Sequence, residues 1–115
     1  MKDCNNCRKI KTLYVTKHGS VAYCATSTNY HVELVSMLVF FTQKEFDFFC
    51  SFIELLDLKS PEKYLKLKSG KIIIQPAMNA SYYAFYLEEL KELKSLLAGA
   101  RSMLAIEEDI KEYLG

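Results

Sequence analysis

Three cysteines in the first quarter of the chain are the residues whose types and spacing could bind a metal. Cys4 and Cys7 form a Cys-x-x-Cys pair, and Cys24 follows after sixteen intervening residues. Ser27 stands where a second such pair would have its last cysteine. Thiolates at this spacing are typical of tetrahedral zinc sites. The pattern predicts a zinc ribbon that needs its fourth ligand from elsewhere.

A histidine could supply that ligand, because a neutral imidazole nitrogen combines well with thiolates on zinc. The chain has two histidines, His18 and His31, and the predicted metal set is Cys4, Cys7, Cys24 and His31, with His18 as the alternative fourth ligand. Two other interpretations stay open. The thiols are reduced and bind nothing, so that no cofactor is present, or the Cys-x-x-Cys pair is redox-active.

The remaining polar side chains indicate no catalysis. His18 falls in a turn between two β-rich runs, which predicts a solvated loop residue, and His31 alternates with Tyr30 and Val32 as a sheet-face residue does. No Ser-His-Asp or Cys-His order with a local signature is present. We therefore expect no catalytic residues.

Composition places the chain among ordinary globular proteins. It has 115 residues, of which 50% are hydrophobic and 25% charged, which suits a single domain over 1–115. A net charge of +1 gives no global field for nucleic acid or a membrane. Lysines are concentrated in the middle of the sequence, and acidic residues near its C-terminus. We interpret the lysines as a solvated edge, because no interleaved aromatics or glycine-rich loop accompany them. They are Lys59, Lys63, Lys66, Lys68 and Lys71.

The cellular compartment is predicted from two sequence features that would direct a protein out of the cytoplasm, a signal peptide and a membrane-spanning segment. The first ten residues have no apolar core of a signal peptide, and the longest apolar run is shorter than the roughly 20 residues that span a bilayer. We expect a cytoplasmic protein with reduced thiols and no membrane partner.

The predicted strand and helix around which the rest of the fold is organised lie within Leu34 to Leu58. A very apolar run ends at Thr42, and an equally apolar segment with helical spacing of its polar residues follows. Thr42 and Glu45 have the spacing of a capping box, which predicts that a helix begins there. This helix is apolar on more sides than one sheet can cover. A second helix or another subunit must cover the rest.

Short alternating runs predict the strands. Lys17 to Ser20 separates two β-rich runs as a tight hairpin turn, in which Gly19 is free to take positive φ. Tyr30 to Val35 alternates as a half-buried strand. Met37 to Phe41 either continues it or forms a separate strand after a bend at Ser36, and the sequence leaves both open.

The second half has clearer strands and a longer helix. Tyr64 to Lys68 alternates, Lys71 to Gln75 is a strand, and Ser81 to Tyr86 is another. From Leu87 onward apolar residues recur at spacings of three and four, and Gly99 either breaks this helix or does not. An unbroken helix would be about 40 Å long, and its overhanging end would favour dimerisation.

A gapless alignment of Leu13–Leu34 with Tyr64–Phe85, with Gly19 on Gly70, indicates two β-hairpin-plus-helix units, 1–58 and 62–115. Chance similarity of two such patterns is the alternative. The predicted fold class is α+β, an antiparallel sheet of four to six strands with two helices on one face.

At Lys17-His18-Gly19, Cys24, His31 and the run that ends Thr42-Gln43-Lys44-Glu45-Phe46, the sequence resembles a family of short uncharacterised bacterial proteins. There a strand with a cysteine pair and a nearby histidine precedes an apolar strand and a helix that contains Glu-Phe. The second cysteine of that pattern falls at Ser27. The resemblance implies no activity.

Three functions remain as hypotheses. The first is a small non-enzymatic interaction module, homodimeric through Phe48, Phe52 or the C-terminal helix. The second is a zinc-stabilised binding protein. The third is a small-ligand binder or enzyme with a tyrosine-lined cleft beside Tyr82 and Tyr86.

Overall fold

The computed structural model of the chain describes residues 10–76 and 82–114. It has an α+β fold with a four-stranded antiparallel sheet, a two-stranded sheet and two helices, which confirms the predicted fold class. Cys4 and Cys7 lie outside the described residues. The strands are β1 (Ile10–Val15), β2 (Gly19–Cys24), β3 (Asn29–Leu34), β4 (Met37–Phe41), β5 (Ile72–Ile74) and β6 (Tyr83–Phe85), and the helices are α1 (Gln43–Glu54) and α2 (Leu87–Leu114).

The first sheet is a meander in which each strand pairs with the next, in the order β1-β2-β3-β4. β4 is a separate strand that pairs antiparallel with β3, so the two alternatives for Met37 to Phe41 are resolved in favour of a turn. Val35 makes this turn at φ 54°, a left-handed conformation that is uncommon for a β-branched residue.

Both helices pack on the same face of the four-stranded sheet, and one core includes residues of both halves of the chain. The sheet contributes residues that alternate along its strands, as a half-buried sheet requires. α2 covers the flank of α1 that the sheet leaves open, as predicted. The fully buried side chains of this core include Val21, Val32, Phe46, Phe49, Ile53, Leu90, Leu93 and Leu96.

α1 begins at the predicted capping box. The backbone N–H of Glu45 donates to Thr42 Oγ1 at 3.2 Å, and the backbone N–H of Thr42 donates to Glu45 Oε1 at 2.9 Å. Two backbone N–H groups that have no partner within the helix are thereby satisfied.

Gly19 differs from the prediction. Gly70 is the glycine at positive φ among the described residues, and Gly19 is not. A Cβ on Gly19 would lie 2.6 Å from the carbonyl oxygen of Glu33 and 3.0 Å from a methyl of Leu96. This position needs glycine because β3 and α2 approach the backbone closely, and positive φ is not the reason.

The second sheet is smaller than the sequence predicted. β5 and β6 form three pairs, and the alternating segment Tyr64 to Lys68 contributes a single bridge, from Lys66 to Ile72. Two backbone hydrogen bonds of 2.9 Å, from Leu67 N to Lys71 O and from Ile73 N to Leu65 O, hold this segment beside β5. The internal repeat itself stays a prediction.

α2 is one helix of 28 residues that continues through Gly99. The ring of Tyr14 lies against Gly99, where a Cβ would overlap it. The last fully buried residue of α2 is Ala100, and Leu104 is half-buried. The helix therefore runs on past the core, and the molecule is 50 Å long but only 31 by 27 Å across.

Candidate functional site

Two residues of the predicted metal set, Cys24 and His31, are among the described residues. Both lie on the face of the sheet opposite the helices. Cys24 ends β2 and pairs with Asn29, and His31 lies two residues farther along β3, opposite Ala22. Cys24 and His31 are therefore diagonal neighbours, for which the expected separation is about 7 to 8 Å. Both are positioned by strand alternation, because the residues between them in register face the core.

His31 has an unusual environment for a surface of a sheet. Its ring centroid lies 4.4 Å from that of Phe40, and its Nε2 is buried without a hydrogen-bond partner among the described residues. Burial lowers the pKa of His31 below 6.5, since it disfavours the charged ring. The neutral form, which is the one that binds metals, is thereby favoured.

Cys24 is fully buried and disulfide-bonded, so the expectation of reduced thiols is wrong for this cysteine. A sulfur in a disulfide has no thiolate to offer, so metal binding at Cys24 would require reduction first. No group of three or more His, Cys, Asp or Glu side chains that could hold a metal occurs within residues 10–76 and 82–114.

His18 lies in the loop between β1 and β2 with 52% of its side chain exposed, as the sequence predicted, and its ring also contacts α2. Its ring Nδ1 lies 2.9 Å from Glu92 Oε1, and its backbone N–H donates to Glu92 Oε2 at 2.8 Å. Thr16 Oγ1 donates to the same oxygen at 2.8 Å. These bonds lower the pKa of Glu92, with that to the His18 ring contributing most. The Glu92 carboxylate thus attaches the first hairpin turn to α2.

A narrow groove of about 450 Å³ separates α1 from α2. Cys50 and Ile53 line it from α1, and Leu97 and Arg101 from α2. Burial raises the pKa of the Cys50 thiol to about 12. The thiol is protonated at neutral pH, so it is a packed apolar group without the thiolate that reactive cysteines need.

A cleft with two tyrosines and several charged residues in its wall lies away from Tyr82 and Tyr86, where the sequence predicted a tyrosine-lined cleft. It has a volume of about 750 Å³ and lies between the sheet and the second half of α2, with Tyr23 and Tyr30 in its wall. Tyr82 is 68% exposed and Tyr86 47%. Tyr86 has the ammonium group of Lys71 at 5.3 Å from its ring centroid, a cation–π distance.

The end of α2 exposes several large apolar side chains. We call residues 103–114 the α2 tail. Five of its large apolar side chains are 37% to 89% exposed and recur at spacings of three and four along one side of the helix. They are Met103, Ile106, Ile110, Tyr113 and Leu114.

α1 offers a smaller apolar surface. Phe48 is 45% exposed and Leu55 84% exposed, whereas Phe52 packs against the core. Of the two phenylalanines that the sequence suggested for self-association, only Phe48 is available in the described structure.

Comparison with known proteins assigns the chain to a family. Residues 6–112 match the model of a family of unknown function, DUF6686. The chain belongs to DUF6686. The resemblance to an uncharacterised family that the sequence indicated is thereby confirmed. No curated protein and no solved structure matches this DUF6686 chain.

In the described residues of the DUF6686 chain, neither helix is both long and apolar enough to span a bilayer. α2 has the length, but its charged residues are too many, with Glu107, Glu108 and Asp109 in succession.

Proposed function

We propose that this DUF6686 protein is a small non-enzymatic interaction module that forms homodimers through the α2 tail. The observation that carries the proposal is the exposed apolar side of a helix that continues for 14 residues beyond Ala100, its last buried residue. Two polar groups that could otherwise act in catalysis have structural partners: the ring of His18 binds Glu92, and Glu45 caps α1.

Backbone hydrogen bonds alone contribute little to the stability of an unpacked helical end of this length. Most of the stability of a helix in a protein comes from the packing of an apolar face rather than from helix propensity. Full burial of a large apolar side chain contributes about 1.5 to 3 kcal/mol, so several such side chains in one contact would stabilise both the tail and a dimer. Apolar residues at alternating spacings of three and four are the pattern by which helices pair.

Light scattering coupled to size-exclusion chromatography tests this proposal. We expect a dimer at micromolar concentration, a monomer for Ile106→Asp, and a dimer for Ala105→Asp. Ala105 is the matched control, since it is exposed, adjacent in sequence and on another side of the helix. A strictly monomeric native chain would contradict the proposal. So would a variant Ile106→Asp that dimerises as well as the native chain.

The environment of His31 favours a second candidate function, and we propose that the reduced protein binds structural zinc through Cys4, Cys7, Cys24 and His31. The proposal is supported by the buried Nε2 of His31, which has no hydrogen-bond partner among the described residues, and by the diagonal position of His31 to Cys24 on one face of the sheet. Zinc and the disulfide are alternatives for the Cys24 sulfur, so zinc binding belongs to the reduced state.

Metal analysis of tag-free protein purified under reducing conditions tests the zinc proposal. We expect one zinc per chain, a loss of zinc and of thermal stability in Cys4→Ser, and retained zinc in Cys50→Ala. Cys50 serves as the control because it packs in α1 as a free cysteine. Zinc-free native protein, with Cys4→Ser as stable as the native chain, would exclude the site.

A further inference from the structure

The cleft of about 750 Å³ between the sheet and α2 has no part in either proposed function. We call it the Tyr30 cleft. Its volume lies within the range of about 300 to 1,000 Å³ that is usual for small-molecule sites. Part of its wall is apolar and buried, since Leu13 is 6% and Tyr30 7% exposed. An apolar wall with a few polar groups is typical of a site that binds a small organic molecule.

Tyr30 presents a buried polar group to this cleft. Its ring stacks on Phe46 with centroids 4.4 Å apart, and the ring of Tyr23 lies 4.9 Å away. Its hydroxyl makes no hydrogen bond with any described residue. The hydroxyl is also not enclosed by protein, so it opens into the cleft that Tyr30 lines. A buried tyrosine hydroxyl usually has a partner, which a bound molecule can supply.

Half of the six charged side chains in the wall of the Tyr30 cleft are already paired. Lys11 and Glu107 form an ion pair with each other. Arg101 lies 3.6 Å from Glu54, which is outside the wall of this cleft. These three side chains therefore leave no strong charge for a ligand.

The other three charged side chains of the wall are Asp47, Glu108 and Lys111, and none of them makes an ion pair with a described residue. Two carboxylates thus stand against one ammonium group. Burial is the largest cause of the raised pKa of Tyr30, and the charges of Asp47 and Glu108 add to it. Both carboxylates therefore lie close enough to the Tyr30 hydroxyl to make its surroundings negative.

We propose that the Tyr30 cleft binds a small organic ammonium ion with an apolar body, of the class of the arylalkylamines. The ammonium group donates hydrogen bonds to Asp47, Glu108 and the hydroxyl oxygen of Tyr30. The apolar body packs against Tyr23 and Leu104, which are half-buried in the wall of the cleft. An ammonium group near tyrosine rings is also attracted by their π faces.

The ligand and the proposed dimer contact use different sides of α2. Leu104, Glu108 and Lys111 follow one another at spacings of four and three, so they lie on one side of the helix. Ile106 and Ile110 of the exposed apolar side are not in the wall of the cleft. Ligand binding therefore does not depend on the proposed self-association.

A series of three probes that differ in charge tests the inference on the native chain. The probes are phenethylamine, which is a cation at neutral pH, the neutral phenethyl alcohol, and the anion hydrocinnamate. Nuclear magnetic resonance titration of isotope-labelled protein measures their affinities and the residues that they contact. We expect phenethylamine to bind about tenfold more tightly than phenethyl alcohol, because its hydrogen bonds are charge-assisted. Hydrocinnamate should bind most weakly, and amide shifts should be confined to residues around the Tyr30 cleft.

Two variants locate the site. In the double variant Asp47→Asn with Glu108→Gln, the affinity for phenethylamine should fall about tenfold, to that for phenethyl alcohol, since both charges are lost at nearly unchanged shape. Tyr30→Phe removes one acceptor and should weaken phenethylamine binding severalfold.

The control variant carries Asp109→Asn with Glu62→Gln, which makes the same chemical changes at exposed carboxylates outside the wall of the cleft. It should bind phenethylamine as the native chain does. Far-ultraviolet circular dichroism establishes that all variants are folded, and the comparison of probes on the native chain needs no variant.

Two results would overturn the inference. One is a native chain that does not prefer phenethylamine to phenethyl alcohol, which includes a chain that binds neither. The other is a preference that the double variant retains in full. Neither result bears on dimerisation, so the proposed function would stand. A monomeric native chain would refute the proposed function and leave this inference intact.

Discussion

At the scale of single residues, one carboxylate does more for the fold than its sequence suggests. Glu92 lies among several acidic and basic residues on the polar side of α2, yet it accepts hydrogen bonds from Thr16 and from both the backbone and the ring of His18. These partners are 74 and 76 residues away in sequence. No local sequence pattern connects Glu92 with Thr16 and His18. These hydrogen bonds are seen only when α2 is packed against the first hairpin.

Replacing Glu92 by Gln should therefore destabilise the protein at pH 7, since charge-assisted hydrogen bonds to a carboxylate are stronger than those to an amide. The pKa of Glu92 is lower in the folded state than its ordinary 4.5. Its stabilising contribution is thus fully present above about pH 4.5 and is lost as the pH falls through the folded-state pKa. Urea unfolding should show a difference between native and variant protein that is largest at pH 7 and smallest near pH 2.

Glu62→Gln is the control, because Glu62 is an exposed carboxylate in the short turn before β5. Its unfolding midpoint should match that of the native chain. A difference for Glu92→Gln that is as large at pH 2 as at pH 7 would show that the carboxylate charge is not what stabilises the junction.

At the scale of elements, local interactions determine where α1 begins, and distant ones determine how far α2 extends. α1 begins where two neighbouring side chains satisfy the free backbone groups of its first turn. Nothing beyond four residues is needed for that boundary. α2 continues through a glycine because the Tyr14 ring of a distant strand occupies the place of a side chain.

Thr42→Ala should reduce the free energy of unfolding by about 1 kcal/mol, the usual cost of losing a side-chain N-cap. Ser51→Ala is the matched control, since Ser51 is an exposed residue in the interior of the same helix where alanine is at least as favourable. Chemical denaturation of both variants measures the two effects. An equal change for Thr42→Ala and Ser51→Ala would show that the capping box adds no stability.

Gly99→Ala should have opposite effects in two backgrounds. In the native chain it should destabilise, because the new methyl group displaces the Tyr14 ring from its contact with α2. In a Tyr14→Ala background it should stabilise by up to about 1 kcal/mol, the helix propensity difference between glycine and alanine. A double-mutant cycle by urea unfolding measures this coupling. The same effect in both backgrounds would mean that Tyr14 does not constrain position 99.

At the scale of the whole molecule, folding and association use different parts of α2. Residues from Leu90 to Ala100 complete a core that they share with α1 and with all four strands of the first sheet. The α2 tail has no fully buried residue. A chain that ends at Ala105 should therefore keep the fold and lose the interaction.

We expect this truncated chain to have a free energy of unfolding within about 1 kcal/mol of the native monomer, because the exposed ion pair of Lys11 and Glu107 is worth at most that much. Thermal and urea unfolding should be compared at low protein concentration, where a dimer adds little stability. Its elution should be monomeric at concentrations at which the native chain is a dimer. Loss of the cooperative unfolding transition would show that the tail is part of the core.

The sequence by itself determined the features that depend on neighbouring residues. The capping box at Thr42, the strand over Ile72 to Ile74 and the helical period after Leu87 are all encoded within a few positions. The fold class could therefore be predicted, whereas the continuation of α2 through Gly99 could not. The diagonal placement of Cys24 and His31 also follows from alternation, once the hairpin register is known.

Only the tertiary structure decided the features that depend on which elements meet. The approach of β3 and α2 makes Gly19 a point of close contact, and the packing of α2 on the first hairpin places His18 beside Glu92. Contacts between residues far apart in sequence depend on how helices and strands pack together. The residue types indicate which bonds a side chain can make, but they do not indicate which distant residue is its partner.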